Sequence, residues 1–157
     1  MEMRQYLTET FQYNDFANKL VLAKIHQLPE PEEAVKLFSH LINSQQKWMA
    51  RILQDPQAPQ LDWWTPAYPL AELEDRWDRS LKTWLDFIDK QTEAELFGIV
   101  QFTGYDGGRW EAALKDIALQ LNYHSIHHRA QIQTIIRRQG LEPDFVDYIG
   151  TKYRKLT

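Results

Sequence analysis

EAALKDIALQLNYHSIHHRAQIQTIIRRQ, residues 111–139, decides the fold of this chain. Leu114, Ile117, Leu121, His124, His128, Gln131 and Ile135 recur at steps of three and four, the period of one face of an α-helix. Gly140 is a natural stop behind it. The spacing predicts a helix from Glu111 to Gln139 whose seam is apolar except where imidazoles stand. His124 and His128 are four apart, so their Cβ atoms share a face at roughly 6 Å, close enough to bind one metal ion. Burying two adjacent imidazoles costs on the order of a few kcal/mol if their polar atoms lack partners, whereas a coordinated ion gives each a strong bond. His127 lies about 100° around the helix from His128 and belongs on the flank. The pair is half of a metal site, although histidines at this spacing also arise by chance or make ordinary hydrogen bonds. It is not the metalloprotease motif H-E-x-x-H, because Ser125 stands where the general-base Glu would be.

Upstream, Leu7, Phe11, Ala17, Val21 and Ile25, with Asn14 and Asn18 in the same stripe, predict an amphipathic helix over residues 3–28 that Pro29 and Pro31 stop. Glu32 and Glu33 then open a second helix, where carboxylates favour the positive end of the dipole, and it runs to about Leu53. Its stripe is Ala34, Leu37, Leu41, Trp48 and Ile52, with His40 at the edge. Residues 54–69, QDPQAPQLDWWTPAYP, cannot be a continuous helix, because each proline removes a donor and clashes with the preceding turn. A third helix carries Leu70, Leu73, Trp77, Leu81, Trp84 and Ile88. Leu96 to Trp110 is richer in β-formers and its TGYDGGR supplies turn glycines, which predicts a short hairpin or irregular excursion. The tail after Gly140 is expected to form a short helix or an irregular arm. Four helices, three connections and no repeat period point to an all-α protein: a four-helix bundle with one long crossover loop, in a single domain over residues 1–157.

Composition narrows the function. Hydrophobic residues make up 43% and charged residues 25%, ordinary globular usage. The net charge of −4 argues against nucleic acid, whose affinity rests on phosphates neutralised by Lys and Arg. The chain has no cysteine, so thiol chemistry would need an outside thiol. The amino terminus lacks the apolar run of a signal peptide and no membrane-length apolar span occurs, so a soluble cytoplasmic protein is expected.

His40 is the candidate third ligand, because the second and last helices can be neighbours and the edge of the stripe points into the groove between them. His26, at the end of the first helix, is most simply a solvent-facing residue and is assigned no function. Adjacent Trp63 and Trp64 in a proline-rich loop cannot easily both point inward, so a lid or a subunit contact is expected of them. Arg129, beside the histidine run, is open to two readings: contact with an anion or a supporting carboxylate, or a structural ion pair.

These stretches together resemble the DinB (damage-inducible) and YfiT-like metal-binding four-helix bundles, over nearly the whole chain. The likeness is carried by YNDFANKL (13–20), LFSHLINSQQKWMARIL (37–53), FTGYDGGRW (102–110), NYHSIHHRAQI (122–132) and RRQGLEPDFVDYIGTKYR (137–154). The family pattern, a histidine followed eight residues on by Trp and later H-x-x-x-H-R-x-Q-I, is met by His40, Trp48, His124, His128, Arg129, Gln131 and Ile132. Ala130 stands where a glycine is common. The resemblance implies a divalent metal held by His40, His124 and His128 with open positions for water or substrate. Zinc or nickel is the usual ion, with iron or manganese as further candidates. It also implies a homodimer and a small-molecule substrate, as in metal-dependent hydrolases or transferases using a thiol such as bacillithiol, mycothiol or glutathione. The alternative is a non-catalytic stress or regulatory protein in which the metal is structural. No acid or base for catalysis can be named from the sequence.

Overall fold

Apolar residues at helical spacing carry the amino-terminal segment into α1, Met3–Ile25, in the computed structural model, which describes residues 1–157. Leu7, Phe11, Ala17, Val21 and Ile25 face inward, and so do Asn14 and Asn18. The helix ends ahead of the proline pair, and α2 follows over Glu32–Ile52 with Glu32 and Glu33 in its first turn. In α3, Leu73–Lys90, the buried face is Leu73, Trp77, Leu81, Trp84 and Ile88. Leu70–Glu72, expected as the start of this helix, is a 3-10 turn leading into it. Outside the expected elements lies the short α4, Glu93–Leu96, which a capping box starts: Thr92 Oγ1 accepts from Glu95 N while the Glu95 carboxylate accepts from Thr92 N at 2.8 Å.

The expected excursion is an antiparallel hairpin. Strands β1, Ile99–Thr103, and β2, Arg109–Ala113, pair from Ile99 with Ala113 to Thr103 with Arg109, and Gly107 in the turn takes a φ of 76° that favours glycine. The last helix, α5, therefore begins at Leu114 rather than at Glu111 and runs to Arg138. Glu111 pairs with Gln101 and Ala112 with Val100, so the ladder holds this segment extended until Leu114 N–H closes on Gly98 O at 2.9 Å. Behind Arg138, Gly140 has a φ of 84°, as its stop position requires. The tail forms only a 3-10 turn at Tyr148–Thr151, after Val146 O has accepted the Tyr13 hydroxyl at 2.8 Å.

The chain is thus mostly helical with one small two-stranded sheet. Helices α1 and α2 each lie against both α3 and α5. Their apolar faces form two separate clusters. One gathers Val21, Ile25, Phe38, Ile42, Trp77 and Ile132; the other gathers Leu7, Phe11, Met49, Trp84, Leu96 and Ile117. Between the clusters along each long helix stand buried polar residues: Asn14 and Asn18 on α1, Ser44 and Gln45 on α2, Ser80 on α3, and Asn122, Ser125 and Arg129 on α5. This polar layer is internally bonded, with Ser80 Oγ donating to Gln45 Oε1 at 2.6 Å and Asn18 Nδ2 to Ser125 Oγ at 2.8 Å.

Helix α2 departs from a simple amphipathic stripe. Residues 38–45 are all buried, whereas Leu37, Trp48 and Ile52 of the expected stripe are only half-buried. The reason is the connection between α2 and α3, which folds back over α2 and is bound by its polar side chains. Tyr68 N donates to Ser39 Oγ at 3.0 Å, Tyr68 Oη to Asn43 Oδ1 at 2.7 Å, Asn43 Nδ2 to Pro66 O at 3.1 Å, and Lys47 Nζ to Leu61 O. No helix is long and apolar enough to cross a membrane.

Candidate metal centre

One helical turn of α5 places His124 and His128 on the side facing α2, and α2 brings His40 to meet them. Their Nε2 atoms converge, with His40 Nε2 at 2.9 Å and His128 Nε2 at 3.0 Å from His124 Nε2. All three ligand atoms lie within 4.8 Å of one another. Three imidazole nitrogens around one ion at about 2.1 Å lie roughly 3.0–3.4 Å apart, so the two separations from His124 already suit one shared ion. His40 and His128 are buried and His124 is half-buried at the mouth of the site.

The tautomers decide what these nitrogens offer. His40 Nδ1 lies 2.7 Å from the Trp63 carbonyl oxygen, which only accepts, so Nδ1 carries the proton and Nε2 presents a bare lone pair. His128 Nδ1 is 2.6 Å from Gln131 Oε1, with the same result. His124 Nε2 carries at most one proton and cannot satisfy both neighbours. A cation resolves this convergence of lone pairs. Protonation does not compete at neutral pH, because burial lowers all three basicities. For His40, burial outweighs the hydrogen bond to Trp63; for His124, burial and then the neighbouring imidazoles push the pKa down to about 4; for His128, burial again leads.

The loop between α2 and α3 covers the site. Asp62 Oδ1 accepts from Trp64 N and Thr65 N, both at 2.7 Å, and the turn so formed lays the Trp64 indole flat on the His40 ring, 3.7 Å between centroids and 5° from parallel. Trp63 supplies the carbonyl that orients His40, and Trp64 the stacked face. In front of the histidines is a chamber of ≈ 200 Å³ bounded by Ser44, Trp48, Trp63, Gln120 and Leu121. A larger cavity of ≈ 480 Å³ between α2 and α3, lined by Gln45, Met49, Arg76 and Ser80, holds no cluster of ligand atoms. The chemistry therefore points to the smaller one.

Other residues fall differently from expectation. Gln131 is exposed rather than in the seam, and it reaches back to orient His128. The spacing of three from His128 was the available signal, because such residues are helix-surface neighbours. Arg129 is 2% exposed and pairs with no carboxylate. In place of an ion pair, its guanidinium donates to Asn14 Oδ1 at 2.9 Å, Asn18 Oδ1 at 2.7 Å and Tyr13 Oη at 3.2 Å. The buried face of α5 in this region is Ser125, His128, Arg129, Ile132, Ile135 and Ile136, so the expected His128 and Ile135 lie on it. His127 is exposed on the flank, and His26 is exposed at the end of α1, both as expected.

The sequence profile of the DinB superfamily matches residues 22–132, a span that includes all three histidines and Arg129. No curated protein and no solved structure gives a significant match.

Proposed function

The chain belongs to the DinB superfamily, and we propose that it holds one divalent ion on His40, His124 and His128 within a four-helix bundle and works as a metal-dependent hydrolase or small-thiol-dependent transferase. The observation that carries this reading is the meeting of three Nε2 lone pairs, two of them fixed by Nδ1 hydrogen bonds. An ion bound there supplies Lewis acidity and open positions for a water or a thiolate. The protein's own part is to hold the imidazoles. The Trp63 carbonyl and Gln131 fix two ring orientations, and the Trp64 face keeps water off His40. With no cysteine in the chain, the thiol is a separate small molecule.

The donor set suits zinc or nickel, and iron or manganese to a lesser degree. The same reading makes the protein a cytoplasmic homodimer, which sedimentation of the purified chain tests. One observation favours a second reading, a non-catalytic protein in which the ion ties α2 to α5: the chamber is bounded by Ser44, Trp48, Trp63, Gln120 and Leu121 and no carboxylate. Titrating the cobalt-substituted protein with bacillithiol and glutathione separates the two. A shift of the visible d–d bands on thiol addition supports the thiol-dependent enzyme; unshifted bands together with an unreactive metal-bound water support the structural ion. The metal itself is tested by His40→Ala, which is expected to lower bound metal from about one per chain toward zero by elemental analysis. Full occupancy in that variant would sink the triad.

A further inference from the structure

Beside the chamber lies an open groove of ≈ 330 Å³, within the usual range for small-molecule sites. It shares Trp48 and Trp63 with the chamber and takes its outer wall from Phe102 on β1 and Trp110 on β2. Trp110 is 52% exposed, yet its position is fixed. Its Nε1 donates to Asp106 Oδ1 at 3.0 Å, and Gly104 lies so close that a Cβ there would come within 2.4 Å of the indole. A pinned, exposed indole loses little conformational freedom when a ligand stacks on it.

The groove also has a guanidinium in its lining, and an ammonium lies behind Trp63. The Arg51 guanidinium is 4.7 Å from the Trp48 ring, 5.0 Å from Trp63 and 5.0 Å from Phe102, and Lys47 Nζ is 4.9 Å from Trp63. Both cations are buried, and neither joins a carboxylate in any ion pair. Asp62, held by the backbone of Trp64 and Thr65, acts electrostatically on Lys47 without forming an ion pair, so Arg51 is the cation the groove offers. Arg51 gives the protein one hydrogen bond, from Nη2 to Thr103 O, which leaves guanidinium donors for a ligand.

We infer that this groove binds a planar aromatic anion, with the ring on Trp63 and Trp110 and the charge toward Arg51. The inference deepens the reading under Proposed function and rests on it in one respect: the groove holds the part of the substrate that does not react at the metal. Its binding chemistry stands on the groove's own residues.

Calorimetric titration of the full chain with 2-naphthoate, against 2-naphthalenemethanol as the uncharged counterpart, tests it. One site per chain is expected, with the alcohol at least about tenfold weaker. Trp110→Ala should weaken naphthoate binding by about tenfold or more while Trp110→Phe retains most of it, with circular dichroism unchanged in both. Arg51→Met, which keeps the stem among the rings, should abolish the preference for the acid. Absent binding, equal affinity for acid and alcohol, or indifference to Trp110→Ala would overturn the inference. So would a dimer that Trp110→Ala dissociates, because a second copy would then be the occupant. In metal-free His40→Ala the affinity should stay within about threefold; loss together with the metal would mean that the ion, not the groove, held the probe. A wild-type chain that takes up no metal when offered cobalt or zinc yet binds naphthoate would refute the metal reading and leave the groove standing. A metal-loaded chain that ignores naphthoate would do the reverse.

Discussion

Arg129→Met removes a charge from the polar layer while keeping most of the stem's volume. The Arg129 guanidinium satisfies the amide oxygens of Asn14 and Asn18 at 2.9 and 2.7 Å, and both asparagines are almost fully buried. Asn14 Nδ2 already lacks a partner, so the variant leaves Asn14 bonded at neither end of its amide. Each orphaned buried acceptor costs ~1–3 kcal/mol, and relief from burying the guanidinium offsets part of the sum. A net loss of about 2–4 kcal/mol follows, equivalent to roughly 4–15 °C in Tm for a chain of this size. Urea unfolding followed by circular dichroism, with metal removed by chelator, measures it as a lower midpoint at unchanged slope. The triple variant Asn14→Leu, Asn18→Leu, Arg129→Met should recover a large part of the loss, because the cost lies in the unmatched partners and not in the missing cation. A loss under about 0.5 kcal/mol in Arg129→Met, with a triple variant less stable than the single, would refute the bookkeeping.

Further outcomes follow from the site. Gln131→Leu removes the acceptor that orients His128 and should weaken metal affinity about 10–100-fold without unfolding the chain, as competition with a chromogenic chelator would show; unaltered affinity would deny Gln131 that role. Trp64→Ala uncovers the His40 ring and should speed metal loss to excess chelator while costing under about 1 kcal/mol, given that the indole is half exposed; an unchanged rate would mean that it covers nothing. The three triad histidines have lowered basicity in the fold, so as pH falls below about 6.5 the unfolded chain takes up protons first. Stability of the metal-free protein should therefore be flat above that pH and decline toward the His124 value of about 4. The carboxylates held low, Asp62, Glu95 and Asp106, act in the same direction only below their ordinary values of 3.8 to 4.5. Urea midpoints across this range, with His124→Gln as the control, check it, and a rise in stability between pH 7 and 5 would contradict the sign.

The long helices and the triad were legible because both rest on periodicity. Steps of three and four placed Leu7 through Ile25, Leu73 through Ile88 and the His124–His128 pair correctly, and a pattern at the edge of a stripe found His40. What the sequence hid depends on contacts between distant segments. The start of α5 moved to Leu114 because the pairing of Glu111 with Gln101 holds that stretch extended, and helix propensity in the fragment carries no trace of its partner strand. Helix α2 is buried on more faces than its stripe suggests because Tyr68 and Pro66 return to it from the loop, so its Ser39 and Asn43 read as surface residues in isolation. Arg129 was misread for a similar reason: its partners are the neutral amides of α1, more than a hundred residues away, and charge alone suggests a carboxylate.

The polar layer between the two apolar clusters also acts as a vernier for the helices. Sliding α1 or α5 by one turn, ~5.4 Å, would carry Asn14, Asn18 or Arg129 into an apolar cluster and strand their hydrogen-bonding groups. Axial slippage of that kind is what would separate the Nε2 atom of His40 from those of His124 and His128, which no backbone bond ties together. The asparagines of α1 hydrogen-bond to Ser125 and Arg129 rather than to a histidine, yet they gauge the height at which α5 presents its two histidines of the triad.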